Sequence, residues 1–387
     1  MAIHKLFFVR ILLLSPCTAL AAQDLLIECK TLAIAPDVVV SPGAFLVRDG
    51  KVAFLGLEIP AEARAKARTL AWPTATIVPG FVLAHSTLGQ EQDLAERAVA
   101  MTPELQAADA FDPYRTDLGQ LPRYGVTGCG LAPSSRNVAA GIGALVKPGK
   151  DKGRIASNAT FLKLSLTAAA RDPERPPTSL MGAIDLLREG FLTAKRGVQG
   201  GPDIAVLGQA LRGERRVFFA ADTFSEIQGA LALAQQFGFE PVLVGASEAQ
   251  DCIEQIAATR AAVVLQPLTM EMRGDRLLLP QRLEQRGIPF CFLGNPHQLR
   301  TSAAIAVHFG TSRKQALAAL TRTPAQLLGQ QDLIGSLRRG CDADFTVFDG
   351  DPLDLSSALR AVYVDGQQLI GDEPARITTS ATGKEAR

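Results

Sequence analysis

The chain has 387 residues, and 40 Lys plus Arg against 39 Asp plus Glu leave a formal net charge of +1. That balance offers no concentrated cationic surface for phosphate, so nucleic acid is excluded as the expected partner. With 47% hydrophobic and 20% charged residues, and 34 Gly and 23 Pro scattered without period, disordered, collagen-like and coiled-coil classes are excluded too.

Residues 1–21 read as an export signal. Lys5 and Arg10 flank a short aromatic stretch, Ile11 to Leu14 continue an apolar core, and Ala19-Leu20-Ala21 places small residues where a signal peptidase cuts. The expected location is periplasmic or extracellular. Arg10 and Pro16 interrupt the apolar run, which is too short for a span of about 20 residues, so no transmembrane segment is expected. Beyond Cys17 the chain keeps Cys29, Cys129, Cys252, Cys291 and Cys341 without a CxxC pair, which predicts small buried residues and not a zinc cluster or disulfide framework.

From Leu25 to Ile77 the pattern is strand, turn, strand, with Asp49-Gly50 as a hairpin turn between Ala44–Val47 and Val52–Leu55. After Val78-Pro79-Gly80 strands alternate with helices, the rhythm of a parallel sheet with crossover helices. Helices are expected after Pro177-Thr178 and after Asp222, and strands at Arg216–Ala220, Pro241–Val244, Ala262–Leu265 and Pro289–Leu293. Two capped helices follow, one opening at Ser312 with Gln315 in the capping-box position, the other at Thr323 with Pro324 as first helical residue. Strand chemistry returns at Ala343–Phe348 and Ala361–Val364.

Three blocks resemble the amidohydrolase superfamily, in its imidazolonepropionase-like branch of exported bacterial members. Val78-Pro79-Gly80-Phe81-Val82-Leu83-Ala84-His85-Ser86-Thr87-Leu88-Gly89 is similar to the family's first barrel strand. Ala316 to Thr321 with Thr323-Pro324-Ala325 resembles its final barrel helices, and Gly335-Ser336-Leu337 followed by Asp342-Ala343-Asp344-Phe345-Thr346-Val347-Phe348-Asp349-Gly350 resembles its return into a β-sandwich. The resemblance implies an α/β fold: a TIM-type (β/α)8 barrel over 80–335 and a small β-sandwich from 22–79 and 336–372; the polar residues 373–387 are expected to form a flexible tail.

It also implies hydrolysis of C–N bonds by water that one or two divalent metals activate. By resemblance the ligands are a His-x-His pair on the first strand, a modified Lys or a Glu on the fourth, a His on each of the fifth and sixth, and an Asp on the eighth. Here only His85 matches as a metal ligand. Thr87, Ala220, Gly245 and Asn295 stand where donors are expected, and Asp222 follows Ala220. Lys163 lies in the region of the fourth strand. Asp222 and Asn295 are the candidate catalytic residues, each with a competing reading: Asp222 as a helix cap, Asn295 before Pro296 as a turn. His297 and His308 fall after the eighth strand.

This set holds at most one divalent metal, Zn or Mn, or none. Two readings follow: a hydrolase with a reduced single-metal site, or an inactive pseudoenzyme kept as a binding module. The expected partners are a small-molecule ligand and either a homo-oligomer or an active paralogue.

Overall fold

The computed structural model describes residues 23–197 and 200–372. The signal at 1–21 and the tail at 373–387 lie outside the described residues.

Among the described residues, eighteen strands carry the architecture. β1 (Leu25–Ala35), β2 (Val38–Val40), β3 (Gly43–Arg48), β4 (Lys51–Leu55) and β5 (Arg68–Pro79) come from the N-terminal segment. β16 (Phe345–Phe348), β17 (Leu359–Val364) and β18 (Gln367–Gly371) come from the C-terminal one. All eight join a single sheet in which β16 pairs antiparallel with β5, putting Phe345 opposite Pro79 and Val347 opposite Ile77. The two ends of the chain are therefore one structural unit.

A mixed sheet stands where a two-sheet sandwich was expected. The sheet curls: Phe45 of β3 and Phe345 of β16 are three strands apart, yet their ring centroids lie 5.2 Å apart, whereas flat strands would separate them by about 14 Å. The curled face encloses a core with Ile27, Phe45, Trp72, Ile77, Phe345 and Tyr363. Asp49 and Gly50 turn the hairpin with φ of 50° and 76°, the left-handed values this turn requires.

The remaining strands form two further sheets. β6 (Phe81–Ser86), β7 (Val126–Leu131), β9 (Ala144–Lys147) and β10 (Arg154–Ser157) make one. β8 (Ala139–Ile142), β11 (Phe161–Ser165), β12 (Arg216–Ala221), β13 (Pro241–Gly245), β14 (Ala262–Leu265) and β15 (Phe290–Phe292) make the other. Apart from the edge strand β10, their strands are largely buried, with near-continuous apolar text.

The expected eight parallel strand-helix units are not all present. β8 and β9 run antiparallel to their neighbours β11 and β7, and no continuous ladder closes the two sheets among the described residues. The sheets meet at Gly143, whose N–H donates to the Phe161 carbonyl at 2.9 Å, and at Gly294, whose N–H reaches the His85 carbonyl at 3.3 Å. Gly143 is required: a Cβ there would lie 2.3 Å from the Phe161 ring.

Of the helices Leu180–Lys195, Pro202–Leu211, Phe224–Phe237 and Pro296–His308, Phe224–Phe237 packs on β12 and β13, and Leu180–Lys195 packs on it and on Pro202–Leu211. Two cap assignments are corrected. Thr223 and not Asp222 caps Phe224–Phe237, through a reciprocal capping box with Glu226. The last helix runs Arg322–Leu327 from Thr321, so Pro324 is its third residue. It is tolerated there because first-turn N–H groups have no helical partner anyway. Ser312 does cap its helix, accepting from Gln315 N–H at 3.1 Å. No described helix is long and apolar enough to cross a membrane.

Candidate functional site

The strands β6, β11 and β12 bring His85, Lys163 and Asp222 together, toward the end where barrel enzymes place their chemistry. His85 is 8% exposed and Lys163 fully buried, and His85 Nε2 lies 2.5 Å from Lys163 Nζ. Lys163 sits on β11 opposite Phe218 of β12, one side-chain period above Phe161. The Phe161 and Phe218 rings stack at 4.0 Å, and His85 lies nearly parallel to Phe161 at 6.4 Å. The amine thus stands on an aromatic floor.

That floor sets the electrostatics. Burial pulls the Lys163 amine down to about 7, against the attraction of the Glu91 and Asp222 carboxylates. Burial, together with the positive charge of Lys163, holds His85 well below the usual imidazole range. Near neutral pH the pair therefore carries at most one charge.

Asp222 is half-buried at the end of β12. Its Oδ1 accepts from Ser247 Oγ at 3.3 Å, and its backbone N–H donates to Glu226 Oε2 at 2.9 Å. Burial and the Glu226 carboxylate raise its pKa above the usual carboxylate value, while hydrogen bonds with Ser247 and Gln266 oppose that rise. The carboxylate occupies the space above Gly245: a Cβ at 245 would lie 2.2 Å from Asp222 Oδ1, and Gly245 has φ +93°. The residue expected to carry a sixth-strand ligand is thus a glycine that must remain one.

The other predicted residues do not join this group. Asn295 is exposed and caps helix Pro296–His308, its Oδ1 accepting from the His297 N–H at 3.2 Å. The turn reading is the one its geometry matches. Exposed His297 packs on Tyr124 with ring centroids 4.1 Å apart, and His308 ends its helix next to Phe309. Thr87 lies one residue beyond β6, in a turn where its carbonyl accepts from Gln90 N–H, so the strand periodicity that placed it beside His85 stops short of it. Ala220 is buried and offers no donor.

Sequence reasoning left Lys163 unassigned and missed Glu91, Ser247 and Gln266. A lone lysine in the apolar strand Phe161-Leu162-Lys163-Leu164-Ser165 was the available signal. Glu91 gave none, because the hydrogen bond from Ser134 Oγ that fixes it spans 43 positions.

A histidine ligates metal through an unprotonated ring nitrogen, and Nε2 of His85 is already engaged by Lys163. Among the described residues no three His, Cys, Asp or Glu side chains converge as a metal-binding group. The side chains that the strand ends bring together are His85, Lys163 and Asp222.

Comparison with known proteins places the architecture. Residues 300–370 match the Amidohydrolase family Amidohydro_3. A segment of 78 residues is 36% identical to the amidohydrolase tasK of Hapsidospora irregularis, covering 20% of this chain but only 8% of that much longer protein. The crystal structure of an amidohydrolase from Thermotoga maritima superposes with a TM-score of 0.79 at 24% identity, covering 90% of this chain and all of the other. Ochratoxinase from A. niger superposes at 0.56 with 16% identity, covering 90% of this chain and 96% of its own. Over nine-tenths of its length the chain thus shares the fold of the Thermotoga maritima structure, and its residues 300–370 match an amidohydrolase family model.

Proposed function

We propose that this protein keeps the amidohydrolase fold but has replaced the two-metal centre by the Lys163–His85 pair, and that its barrel mouth is a small-molecule site without metal-dependent turnover. One observation carries this reading: the Lys163 amine lies 2.5 Å from Nε2 of His85, one of the two ring nitrogens through which the imidazole could hold a metal. A protonated amine there repels a divalent cation, and a neutral one still occupies the lone pair or its hydrogen. Asp222 and Glu91 remain as carboxylates, and Ser247 and Gln266 as neutral hydrogen-bonding groups, for orienting a polar ligand.

The test is elemental analysis of the mature protein after incubation with excess zinc and manganese and extensive dialysis. Well-folded protein with far less than one metal per chain is the expected result. Stoichiometric metal would overturn it.

A second reading, a reduced single-metal hydrolase of C–N bonds, is favoured by the position of Lys163. The resemblance puts a modified lysine on the fourth strand, and an amine drawn down to about 7 is largely unprotonated in mild alkali. His85, Lys163 and Asp222 would then be the ligand set. Native mass spectrometry in bicarbonate separates the two: a gain of one carbon dioxide per chain, lost in Lys163→Met, supports the hydrolase.

Export rests on the signal at residues 1–21, and the imidazolonepropionase-like branch on the block Val78–Gly89. Both are part of the proposal.

A further inference from the structure

A second lysine is fully buried, far from the mouth in chemistry and setting. Lys147, the last residue of β9, has no exposed side-chain surface. Its Nζ lies 2.9 Å from Asp342 Oδ2, 2.8 Å from Asp344 Oδ1 and 2.6 Å from Asp365 Oδ1. These distances match charge-assisted hydrogen bonds, and an ammonium has three donors for three carboxylates.

The carboxylates all belong to the C-terminal segment. Asp342 and Asp344 lead into β16, and Asp365 is the left-handed residue of the β17–β18 turn. Two further cations complete the cluster: Lys51 of β4 reaches Asp342 at 2.6 Å, and Arg154 of β10 reaches Asp365 at 2.8 Å. Three positive groups therefore face three negative ones.

The backbone shows what this cluster joins. The Asp344 carbonyl accepts from Gly80 N–H at 2.9 Å, where the chain leaves β5 for β6, and Ala343 N–H donates to the Gly50 carbonyl at 2.8 Å. The segment 342–344 thus lies where both chain ends meet the barrel, and Lys147 reaches it from the antiparallel strand that breaks the barrel's regular order.

We propose that Lys147 is a built-in counter-cation, a latch that fills a tripod of three aspartates and thereby holds the C-terminal strands β16–β18 on the barrel. A purely apolar joint would be indifferent to the charge at this point. A latch depends on it, and a replacement cation supplied from solution can serve when the lysine is gone.

The experiment compares amide hydrogen exchange in the full mature chain and in Lys147→Ala, with and without methylammonium chloride; tetramethylammonium chloride at equal ionic strength is the control, because it has no N–H to donate. Exchange in 345–371 should accelerate at least about tenfold in the variant while β11–β14 change little, and methylammonium alone should restore protection. Wild-type exchange in the variant, or loss of protection that both salts relieve equally or neither relieves, would overturn the latch. Should Lys147→Ala fail to accumulate as folded protein, Asp365→Asn decides. It keeps the lysine and removes the most exposed of the three carboxylates, so a smaller acceleration confined to the same strands is expected, and unchanged exchange there would sink the proposal.

Discussion

Two lysines among the described residues are wholly buried, and their surroundings give them opposite chemistry. Lys147 touches three carboxylates, which outweigh burial and raise its affinity for the proton above the ordinary lysine value. Lys163 touches an imidazole above an aromatic floor, with its nearest carboxylates acting only at longer range, and burial draws it down to about 7. Burial alone therefore does not decide a charge; direct contact with counter-charge does. The first lysine is fixed as a cation where β9 meets the terminal sheet. The second is poised to change state at the mouth.

The largest expected effect breaks the first half of that comparison. Lys147→Met removes the cation and leaves buried carboxylates facing one another, which should destabilise the fold by about 3–5 kcal/mol, measured by urea unfolding. A midpoint close to that of the parent would mean the carboxylates are compensated by Lys51 and Arg154 alone.

Next is Gly245→Ala. The left-handed backbone and the collision with the Asp222 carboxylate should lower stability by about 2 kcal/mol. Should this variant match the parent in thermal unfolding, Asp222 does not occupy the space above β13.

Lys163→Met should cost less, about 1–2 kcal/mol, because it removes a hydrogen-bond partner of His85 and not a paired charge. The two lysines also predict opposite pH slopes. Between about 7 and the ordinary lysine value of 10.5, Lys163 is neutral in the folded chain and protonated in the unfolded one, so its contribution makes stability rise with pH. Lys147 holds its proton longer when folded, so its contribution is full below 10.5 and is lost as pH rises through its higher folded value. Comparing parent and Lys163→Met over this range isolates the first slope; parallel stability curves would show that Lys163 titrates as an ordinary amine.

The smallest effect concerns Asn295. Aspartate caps a helix as well as asparagine does, so Asn295→Asp should shift stability by less than about 0.5 kcal/mol and leave metal uptake unchanged. Added metal binding by this variant would place residue 295 in the site and not merely on its helix.

The terminal sheet was the more legible region. Asp49-Gly50 announced its hairpin, the apolar runs on either side marked β3 and β4, and the block 342–350 resembled a return into terminal β-structure. The antiparallel course of β8 and β9 was not legible, because strands buried on both faces look alike in sequence whichever way they run. At the mouth, the missing histidines could be counted, and Asn295 before Pro296 already suggested a turn. Lys163 as the partner of His85 could not be read, since that contact spans 78 positions and depends on β6 and β11 facing each other across the interior.

The sequence by itself determined which donors the chain possesses and the local signals, glycines, caps and alternation, that set its elements. Those are properties of single residues and near neighbours. Only the tertiary structure decided which lysine is a fixed cation and which a tunable amine. A buried charge is governed by the groups within a few ångströms of it, and both lysines acquire theirs from distant parts of the chain.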